Sequence, residues 1–257
     1  MPNRLCSADM SDNPATADFG FRTVPRAAKA ALVGEVFASV APRYDLMNDL
    51  MSLGVHRLWK RRLITLLDPR PARRLLDLAG GTGDVSFSWL EAGGGPVVLA
   101  DVNPAMLAMA RRRAVADAAL PGLSLLVADA ERLPLPDRAF DRVSIAFGLR
   151  NCTDKEAVLA EAQRILRPGG RFFCLEFSRL EIAALIPLYD AWSFRVLPAL
   201  GRVVASDAES YRYLAESIRT FPDAETLAAM FAKAGFARIG VARLSGGIAA
   251  IHSGWRL

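Results

Sequence analysis

The spacing of hydrophobic and polar positions changes once along the chain, near residue 74. Before that point, apolar side chains recur at helical intervals over residues 32–40 and, after Pro42, over residues 46–67. This spacing predicts two or more helices that precede any strand. After that point, short apolar runs alternate with helical stretches, and the runs cover residues 74–80, 96–103, 123–130, 140–148 and 171–178.

The helical stretches between these runs lie at about residues 84–92, 104–118 and 154–167. Pro168 and Gly169 are expected to end the last of them. Strands and helices that alternate in this way are typical of a parallel sheet with helices on both of its faces. We therefore predict a doubly wound, Rossmann-like α/β fold.

Further elements are predicted on either side of this alternating part. A helical insert is expected at about 180–218, and two β-rich runs about Gly246 and Gly247 could form a hairpin. The early helices, at about 30–67, and the insert would both lie over the carboxyl edge of the sheet. We expect them to act as a lid over that edge.

Composition narrows the class of protein. The chain has 257 residues, 52% of them hydrophobic, so it can bury a full core, and we expect a single domain over residues 26–257. Residues 1–25 are polar and lack the apolar segment of a secretory signal, which predicts a flexible tail. The three cysteines, Cys6, Cys152 and Cys174, are widely spaced, which favours a reduced, cytoplasmic protein without a disulfide framework. No apolar run approaches the roughly 20 residues of a membrane-spanning helix.

The charge pattern favours an anionic partner. The net charge is +5, and residues 56–74 hold seven Lys and Arg residues beside a single acid, Asp68. Such a segment suits nucleic acid, anionic lipid headgroups or an anionic substrate. No nucleic acid is expected, because aromatic residues are not interleaved with the basic ones. No metal is expected either, since no His, Asp and Glu residues have the spacing of metal ligands.

A glycine-rich turn follows the first apolar run, in the segment LLDLAGGTGD at residues 75–84. Such a turn lets the backbone pass close to a ligand at the carboxyl end of a strand. Gly81 and Gly83 match the first two positions of a dinucleotide motif, but Ser86 stands at the third. Asp84 places a negative charge where a pyrophosphate would lie. The turn therefore favours a cofactor without phosphates at this point.

Acidic residues stand at the ends of the next two runs. Asp101 is placed to accept hydrogen bonds from both hydroxyls of a ribose. Its alternative role, a cap for the helix that follows, is already filled by Asn103. Asp129, followed by Ala130, could bind an adenine amino group at the third strand end. Together with the glycine turn, these residues predict S-adenosylmethionine as the cofactor.

With these residues the sequence resembles class I S-adenosylmethionine-dependent methyltransferases, and more narrowly the ubiquinone/menaquinone biosynthesis C-methyltransferases. The segments APRYDLMN at 41–48 and FGLRN at 147–151 are specific to the narrower family, whereas the glycine turn is general. The resemblance extends over everything after the N-terminal tail. Its other segments lie at residues 36–61, 76–84, 100–107, 164–178 and 211–236.

The resemblance implies a seven-stranded sheet whose last strand is antiparallel. It also implies that the protein methylates a ring carbon of a demethylated prenyl quinol. Cofactor contacts of the family fall on Thr82, on Asp101 and on the pair Asp129 and Ala130. One departure is Ala146, which stands where the family often has a serine, so a hydroxyl contact near the cofactor is missing.

The residues after the fourth run point to the chemistry. A quinol ring carbon becomes nucleophilic when a neighbouring hydroxyl loses its proton, and a cation or a strong donor favours that loss. Arg150 is a permanent cation and Asn151 can donate or accept, so we interpret them as the catalytic pair. The alternative is an ion pair of Arg150 with Asp154 or Glu156 and a turn role for Asn151. Whether a water molecule held by the pair, or His56, takes the proton stays open.

Substrate contacts are predicted in the early helices. Tyr44 is expected to stack on the quinol ring, and apolar neighbours such as Phe37 and Leu46 to line a channel for the prenyl tail. Ordinary helix packing is the alternative for each of them. With the basic segment at 57–74, they favour transient contact with an anionic membrane surface. Association with a second copy or with a quinone-biosynthesis assembly is also expected.

Three other functions fit parts of the pattern. An NAD(P)-dependent reductase is disfavoured by the missing third glycine and by the lack of a Tyr-x-x-x-Lys pair. Methylation of an exocyclic amine is disfavoured because no Asn/Asp-Pro-Pro-aromatic segment follows the fourth run. Methylation of another small aromatic acceptor stays an alternative. The sequence does not choose between ubiquinone, menaquinone or both.

Overall fold

The computed structural model describes residues 15–40, 49, 52, 54–116, 121–180, 187 and 208–257. An N-terminal hairpin and two helices come first: β1 (Thr16–Phe19), β2 (Arg22–Pro25), α1 (Arg26–Val40) and α2 (His56–Leu67). The alternating part follows with β3 (Leu75–Leu78), α3 (Asp84–Glu91), β4 (Val97–Asp101), α4 (Pro104–Ala116), β5 (Leu123–Val127), β6 (Phe140–Ala146), α5 (Lys155–Ile165) and β7 (Leu166–Phe177). The last part contains α6 (Ala208–Thr220), α7 (Ala224–Lys233), β8 (Ala237–Leu244) and β9 (Ala249–Trp255).

Seven strands form one sheet, in the order β5-β4-β3-β6-β7-β9-β8. Strands β3 to β7 pair in parallel, whereas β9 is antiparallel to both of its neighbours. The predicted doubly wound sheet with an antiparallel last strand is therefore confirmed. The strand order reverses between β3 and β6, and sheets of this kind bind ligands at the carboxyl ends of the strands beside such a reversal.

Both faces of the sheet are covered, which explains why its strands are nearly continuous apolar runs. On one face, Leu75 of β3 packs in a buried cluster with Leu63 of α2 and Trp89 of α3. On the other, Leu76 belongs to a second cluster with Phe231 of α7. Neighbouring residues of one strand point to opposite faces, so each face needs its own set of apolar side chains.

The N-terminal hairpin differs from the tail expected for residues 1–25. Residues 16–25 form β1 and β2, and Phe19 is only 4% exposed. Its ring stacks on Tyr213 of α6 with 4.2 Å between ring centroids. Four-residue strands are too short for a clear alternation of apolar and polar positions, and the partner of Phe19 is far away in the sequence. For both reasons, the local sequence contains no pattern that predicts this hairpin.

Helix α2 packs along a face of the sheet, so the lid expected at 30–67 does not include it. The side chains of Trp59 and Leu63 are buried. At the end of the helix, the Leu67 carbonyl accepts a hydrogen bond from Arg142 Nε near the start of β6. The helix thus runs down the sheet from its carboxyl edge. Most of the insert expected at 180–218 lies outside the described residues.

The end of α5 and the turn between β8 and β9 were also predicted from the sequence. Helix α5 ends at Ile165, before the predicted end, and Leu166 is already extended, with φ −70° and ψ 143°. The helical conformation is disfavoured at Arg167, the residue before Pro168, so the helix has to end before that position. The predicted hairpin about Gly246 is confirmed, because β8 and β9 pair antiparallel around residues 245–247.

Candidate active site

The glycine turn connects β3 to α3 at the carboxyl edge. Gly81 and Gly83 have φ of 56° and 91°, in the left-handed region that favours glycine. A Cβ at Gly83 would lie 2.8 Å from a ring carbon of Phe87 and 2.9 Å from Leu99 Cδ1, so only glycine fits there. A Cβ at Gly81 would meet nothing within 4 Å. The turn is therefore packed against the protein at Gly83 and faces open space at Gly81.

A buried carboxylate supports this turn from within the sheet. Asp77 of β3 accepts hydrogen bonds from Ser86 Oγ at 2.8 Å and from Ser144 Oγ at 2.9 Å. Burial raises the pKa of Asp77 to about 6, because water no longer stabilises the charged form. Ser86, which breaks the dinucleotide motif, thus has a role as a donor to Asp77. Asp77 stands in the middle of a buried apolar run, and this unusual position is the sequence signal for its cluster with Ser86 and Ser144. The cluster was not predicted.

A pocket that is open to solvent on one side lies beside the turn. Its walls come from the carboxyl ends of four strands and from α1, which contributes Ala30, Val33, Gly34 and Phe37. The pocket thus brings together residues that are far apart in the sequence. Among the predicted site residues, those that line it are Gly81, Asp101, Asp129, Ala130 and Asn151.

Asp101 is held in place by two backbone donors. Its Oδ2 accepts from the Gly81 N–H and its Oδ1 from the Asn103 N–H, both at 2.8 Å. Burial raises the pKa of Asp101, and the two backbone N–H groups oppose this shift. Asn103 itself caps α4, because its Oδ1 accepts from the Ala105 N–H. The carboxylate of Asp101 therefore lines the pocket without serving as the helix cap.

The pair Asp129 and Ala130 borders the same pocket at the end of β5. Asp129 Oδ1 accepts from the Glu131 N–H at 2.9 Å. Glu131 also lines the pocket, and its Oε1 accepts from the N–H groups of Thr153 and Asp154 at 2.6 and 2.9 Å. Glu131 is not among the site residues predicted from the sequence. Its contacts fix the loop after Asn151 against the end of β5.

Thr82 lines a second, smaller pocket that borders the same turn. Lys60 of α2 and Ala146 of β6 also line this pocket, and Ala79 borders both pockets. Asp84 stands at its edge between Lys60 Nζ and Arg113 Nη1, each at 2.6 Å. This second pocket combines a cation, a hydroxyl and carboxylates.

The charge of Asp84 is compensated, contrary to the argument from the sequence. Burial alone would raise the pKa of Asp84, but Lys60 and Arg113 lower it to about 2. Two cations therefore surround one carboxylate beside the turn. Asp84 does not by itself make the turn unsuitable for phosphate, and the selection against a dinucleotide depends on Ser86 instead.

Arg150 is buried and is not among the residues that line the pocket. Its Nη1 donates to Glu176 Oε2 at 3.0 Å and to the Phe147 carbonyl, and its backbone N–H donates to Glu176 Oε1. The pair with Glu176 replaces the surface pair with Asp154 or Glu156 that the sequence left open. The catalytic role of Arg150 stays a prediction, and Glu176 is a buried partner of Arg150 that was not predicted from the sequence.

Asn151 lines the pocket at the start of the loop after β6. Its Oδ1 accepts from the Tyr213 hydroxyl at 3.1 Å, and its Nδ2 donates to the Phe147 carbonyl at 3.4 Å. Phe147 has φ of 58°, which costs a residue other than glycine of the order of 1–3 kcal/mol. Backbone strain of this kind is concentrated at functional sites.

The remaining predicted residues are not part of this arrangement. Tyr44 lies outside the described residues. His56 Nε2 lies 2.9 Å from Asp49 Oδ1, and burial lowers the pKa of the imidazole. His56 lines neither pocket. Within the described ranges, no group of three or more His, Cys, Asp and Glu residues could hold a metal ion. No helix in the part of the chain that the structure describes has the length and apolar character to cross a membrane.

Solved structures resemble the fold. A methyltransferase from Thermotoga maritima, described as S-adenosylmethionine-dependent and as a possible histamine N-methyltransferase, matches with a TM-score of 0.62 at 21% identity. The match covers 88% of this chain and 100% of that one. Phosphoethanolamine N-methyltransferase 2 of Haemonchus contortus, solved with S-adenosyl-L-methionine, matches with a TM-score of 0.54 at 18% identity, over 73% and 38% of the two chains. Both likenesses concern the fold.

Sequence relatives are much closer. The ubiquinone/menaquinone biosynthesis C-methyltransferase UbiE of Acidiphilium cryptum is 68% identical over 242 residues, which cover 94% of this chain and 97% of the relative. The protein of the same name from Methylobacterium nodulans is 53% identical over 252 residues, covering 96% and 100%. The model of the ubiE/COQ5 methyltransferase family matches residues 19–256. The chain therefore belongs to the ubiE/COQ5 methyltransferase family.

Proposed function

We propose that the protein transfers the methyl group of S-adenosylmethionine to a ring carbon of a demethylated prenyl quinol, in the biosynthesis of ubiquinone, menaquinone or both. Family membership and the names of relatives at 68% and 53% identity support this activity. The observation that carries the chemistry is the joint position of Asp101, Asp129 and Asn151 around one pocket at the reversal of the strand order. Groups suited to the nucleoside and to the acceptor therefore meet at one place.

The first pocket suits the adenosine part of the cofactor. Gly81 faces open space, so a ligand can approach the backbone there. Asp101 is fixed by two backbone N–H groups, and each carboxylate oxygen keeps a lone pair for a ribose hydroxyl. Asp129 and Ala130 offer a carboxylate and backbone groups at the next strand end, where an adenine would lie. The cofactor supplies an electrophilic methyl group on a sulfonium.

The second pocket suits the amino-acid end of the same cofactor. That end carries one carboxylate and one ammonium group. Lys60 and the hydroxyl of Thr82 would receive the carboxylate, and the carboxylate of Asp77 would receive the ammonium. The two pockets meet at Ala79, so one ligand that passes over the glycine turn could occupy both. The Lys60 side chain and the Asp101 carboxylate would then bind opposite parts of it.

The acceptor would lie in the part of the first pocket formed by α1 and the end of β6. Val33 and Phe37 of α1 and Phe147 give this part an apolar wall, which suits a ring and excludes water. Asn151, in the short helical turn after β6, is a polar residue that lines the same pocket. Positioning of the ring against the methyl group is the main contribution expected of the protein. Arg150, behind the wall and paired with Glu176, would support that positioning through the loop.

Two further parts of the proposal concern Tyr44 and the lid. We keep Tyr44 as the residue that stacks on the ring, and the described part of the lid is α1. Its first turn is tied to the loop after Asn151, because Arg26 pairs with Asp154 at 2.6 Å and Lys29 Nζ donates to the Cys152 carbonyl at 3.0 Å. Helix α1 therefore closes one side of the pocket while its start stays fixed.

We also propose transient contact with an anionic membrane surface through the outer side of α2. Leu58 is 58% exposed there, and Arg61 and Arg62 are exposed beside it. An apolar side chain flanked by cations is suited to the interface of an anionic bilayer. Binding to vesicles with anionic lipid should weaken in Leu58→Asp and at high salt. Equal binding to neutral vesicles would contradict this contact.

Profiling of quinones in a bacterial deletion strain tests the proposed activity. A strain that lacks its own C-methyltransferase should accumulate demethylated quinones, and expression of this chain should convert them to the methylated products. Which products appear also separates ubiquinone from menaquinone. If the demethylated quinones persist although the folded protein is present, the proposed function is wrong. Sedimentation of the same protein tests the predicted association with a second copy or an assembly.

A further inference from the structure

The amide of Asn151 has one orientation in the structure, and two neighbours determine it. A backbone carbonyl can only accept hydrogen bonds, so the Asn151 atom that lies 3.4 Å from the Phe147 oxygen is the nitrogen. The other atom, Oδ1, lies 3.1 Å from the Tyr213 hydroxyl, which must therefore donate. Burial raises the pKa of Tyr213 well above its usual range, so the hydroxyl keeps its proton. Among the described residues, Nδ2 of Asn151 has no other hydrogen-bond acceptor, and Asn151 lines the pocket.

Tyr213 is itself held from the other side. The residue is buried in α6, and its ring stacks on Phe19 with an interplanar angle of 22°. The β1–β2 hairpin that carries Phe19 is fixed to the same helix, because the Phe21 N–H donates to Glu216 Oε2 at 3.1 Å. A line of contacts thus extends from the hairpin through Tyr213 to Asn151. The hairpin, Tyr213 and Asn151 belong to three parts of the chain that are far apart in the sequence.

We propose that Tyr213 is a positioning residue that fixes Asn151 so that an amide N–H, and not the amide oxygen, faces the methyl acceptor. This inference rests on the proposed function. When the ring carbon forms its bond to the methyl group, the bond between methyl and sulfur breaks and its electron pair stays on sulfur. The ring carbon then loses its hydrogen as a proton to solvent water, and the electron pair of that C–H bond restores the aromatic ring. A hydroxyl oxygen next to that carbon carries negative charge before the transfer, and a fixed N–H stabilises it without reorganisation.

Kinetics of Tyr213→Phe test the proposal, because this variant keeps the ring that stacks on Phe19 and removes only the hydroxyl. We expect kcat to fall about tenfold while the KM for the quinol and the affinity for S-adenosylmethionine stay within twofold. Tyr211→Phe is the matched control, since Tyr211 is a fully buried tyrosine on the same helix. Its kcat should stay within twofold. An unchanged kcat in Tyr213→Phe would overturn the proposal.

A double-mutant cycle separates positioning from general support of the fold. If Tyr213 acts through Asn151, Tyr213→Phe should have no further effect on kcat in the Asn151→Ala background. An equal tenfold loss in that background would show that Tyr213 acts elsewhere and would overturn the proposal. Loss of cofactor affinity in parallel with kcat would do the same, because it would indicate a damaged pocket.

An NMR measurement tests the contact between Tyr213 and Asn151 without any methyl acceptor. The side-chain NH₂ signals of Asn151, identified by their loss in Asn151→Ala, should shift in Tyr213→Phe and stay in place in Tyr211→Phe. Signals that do not move in Tyr213→Phe would contradict the positioning role. If the wild-type protein methylates neither quinol, the proposed function fails, and these signals still decide whether Tyr213 sets the amide.

Discussion

At the scale of single residues, the site depends on buried carboxylates that have more than one donor each. Asp77 has two serine hydroxyls, Asp101 has two backbone N–H groups, and Glu176 has the side chain and backbone of Arg150. A buried charge without such partners is strongly unfavourable. The donors therefore fix each carboxylate in one orientation, and only Asp101 of the three lines the first pocket.

The Asp101→Asn variant should lose affinity for S-adenosylmethionine by about 10- to 100-fold, the effect of hydrogen bonds to a charged group. An amide at this position has one acceptor oxygen, whereas the Gly81 and Asn103 N–H groups each donate to a different oxygen of Asp101. Fewer acceptor sites are then left for the hydroxyls of a ribose. Titration calorimetry measures the affinity. Asp141→Asn, at the opposite edge of the sheet near Arg74, is the control and should leave the affinity unchanged. Equal affinity of Asp101→Asn and wild type would show that Asp101 does not bind the cofactor.

The Glu176→Gln variant should be about 3–5 kcal/mol less stable than wild type, because it leaves the buried Arg150 without a negative partner. Urea unfolding measures the difference. The exposed pair of Lys233 and Glu156 provides the control, and Glu156→Gln should change stability by less than about 1 kcal/mol. A Glu176→Gln protein as stable as wild type would mean that the charge of Arg150 is not held by Glu176.

At the scale of elements, two parts of the chain are added to the seven-stranded sheet, namely α1 and the N-terminal hairpin, which forms a two-stranded sheet of its own. The hairpin packs on α6 through Phe19, and α1 forms a wall of the pocket. Both elements lie before the first strand of the sheet in the sequence. They connect the chain ahead of the sheet to Tyr213 and Asn151, which follow much later.

The Phe19→Ala variant tests this connection. It removes a buried aromatic ring, so the free energy of unfolding should fall by about 3–5 kcal/mol. Because Tyr213 loses its stacking partner, kcat should fall as well. Urea unfolding and steady-state kinetics measure the two effects. Val115→Ala on the exposed side of α4 is the control and should change neither by much. If the Phe19→Ala protein is destabilised but keeps the kcat of wild type, the contact between Phe19 and Tyr213 does not affect the site.

Sequence patterns predicted the alternating strands and helices of the sheet. They did not predict contacts between segments that are far apart in the sequence. The parallel strands and their helices follow from apolar runs that alternate with helical spacing, and Asp101 and Asp129 stand out because they end such runs. Spacing within α2 shows that one side is buried, but not that the helix lies along the sheet. The contacts of Tyr213 with Asn151 and Phe19 join distant segments, so they leave no local pattern.

At the scale of the whole molecule, the basic segment is less available than its composition indicates. Lys60 binds Asp84, and Arg70 and Arg73 bind Asp68. These cations support the turn at the end of α2 and the second pocket. The positive charge that faces solvent on α2 is therefore concentrated at Arg61 and Arg62 beside Leu58, which is the surface proposed for lipid contact.

The stability of the molecule should depend on pH through Asp77. Its pKa is about 6 in the folded protein and near 3.8 when unfolded, so the folded state binds the proton more tightly. The corresponding stability is fully present below pH 4 and is lost as pH rises through 6, by up to about 3 kcal/mol. Urea unfolding between pH 4 and 7 should show this loss in wild type relative to Asp77→Asn. A constant difference between the two proteins across this range would contradict a raised pKa.

Transfer of an isotopic label tests the central claim most directly. Purified protein is incubated with S-adenosylmethionine that carries a ¹³C-methyl group and with demethylmenaquinol or 2-polyprenyl-6-methoxy-1,4-benzoquinol, and the products are analysed by mass spectrometry and NMR. The proposed function predicts one ¹³C-methyl group bonded to a ring carbon of at least one quinol. A label on a quinol oxygen, or no label in either quinol from a protein that binds S-adenosylmethionine, would contradict it.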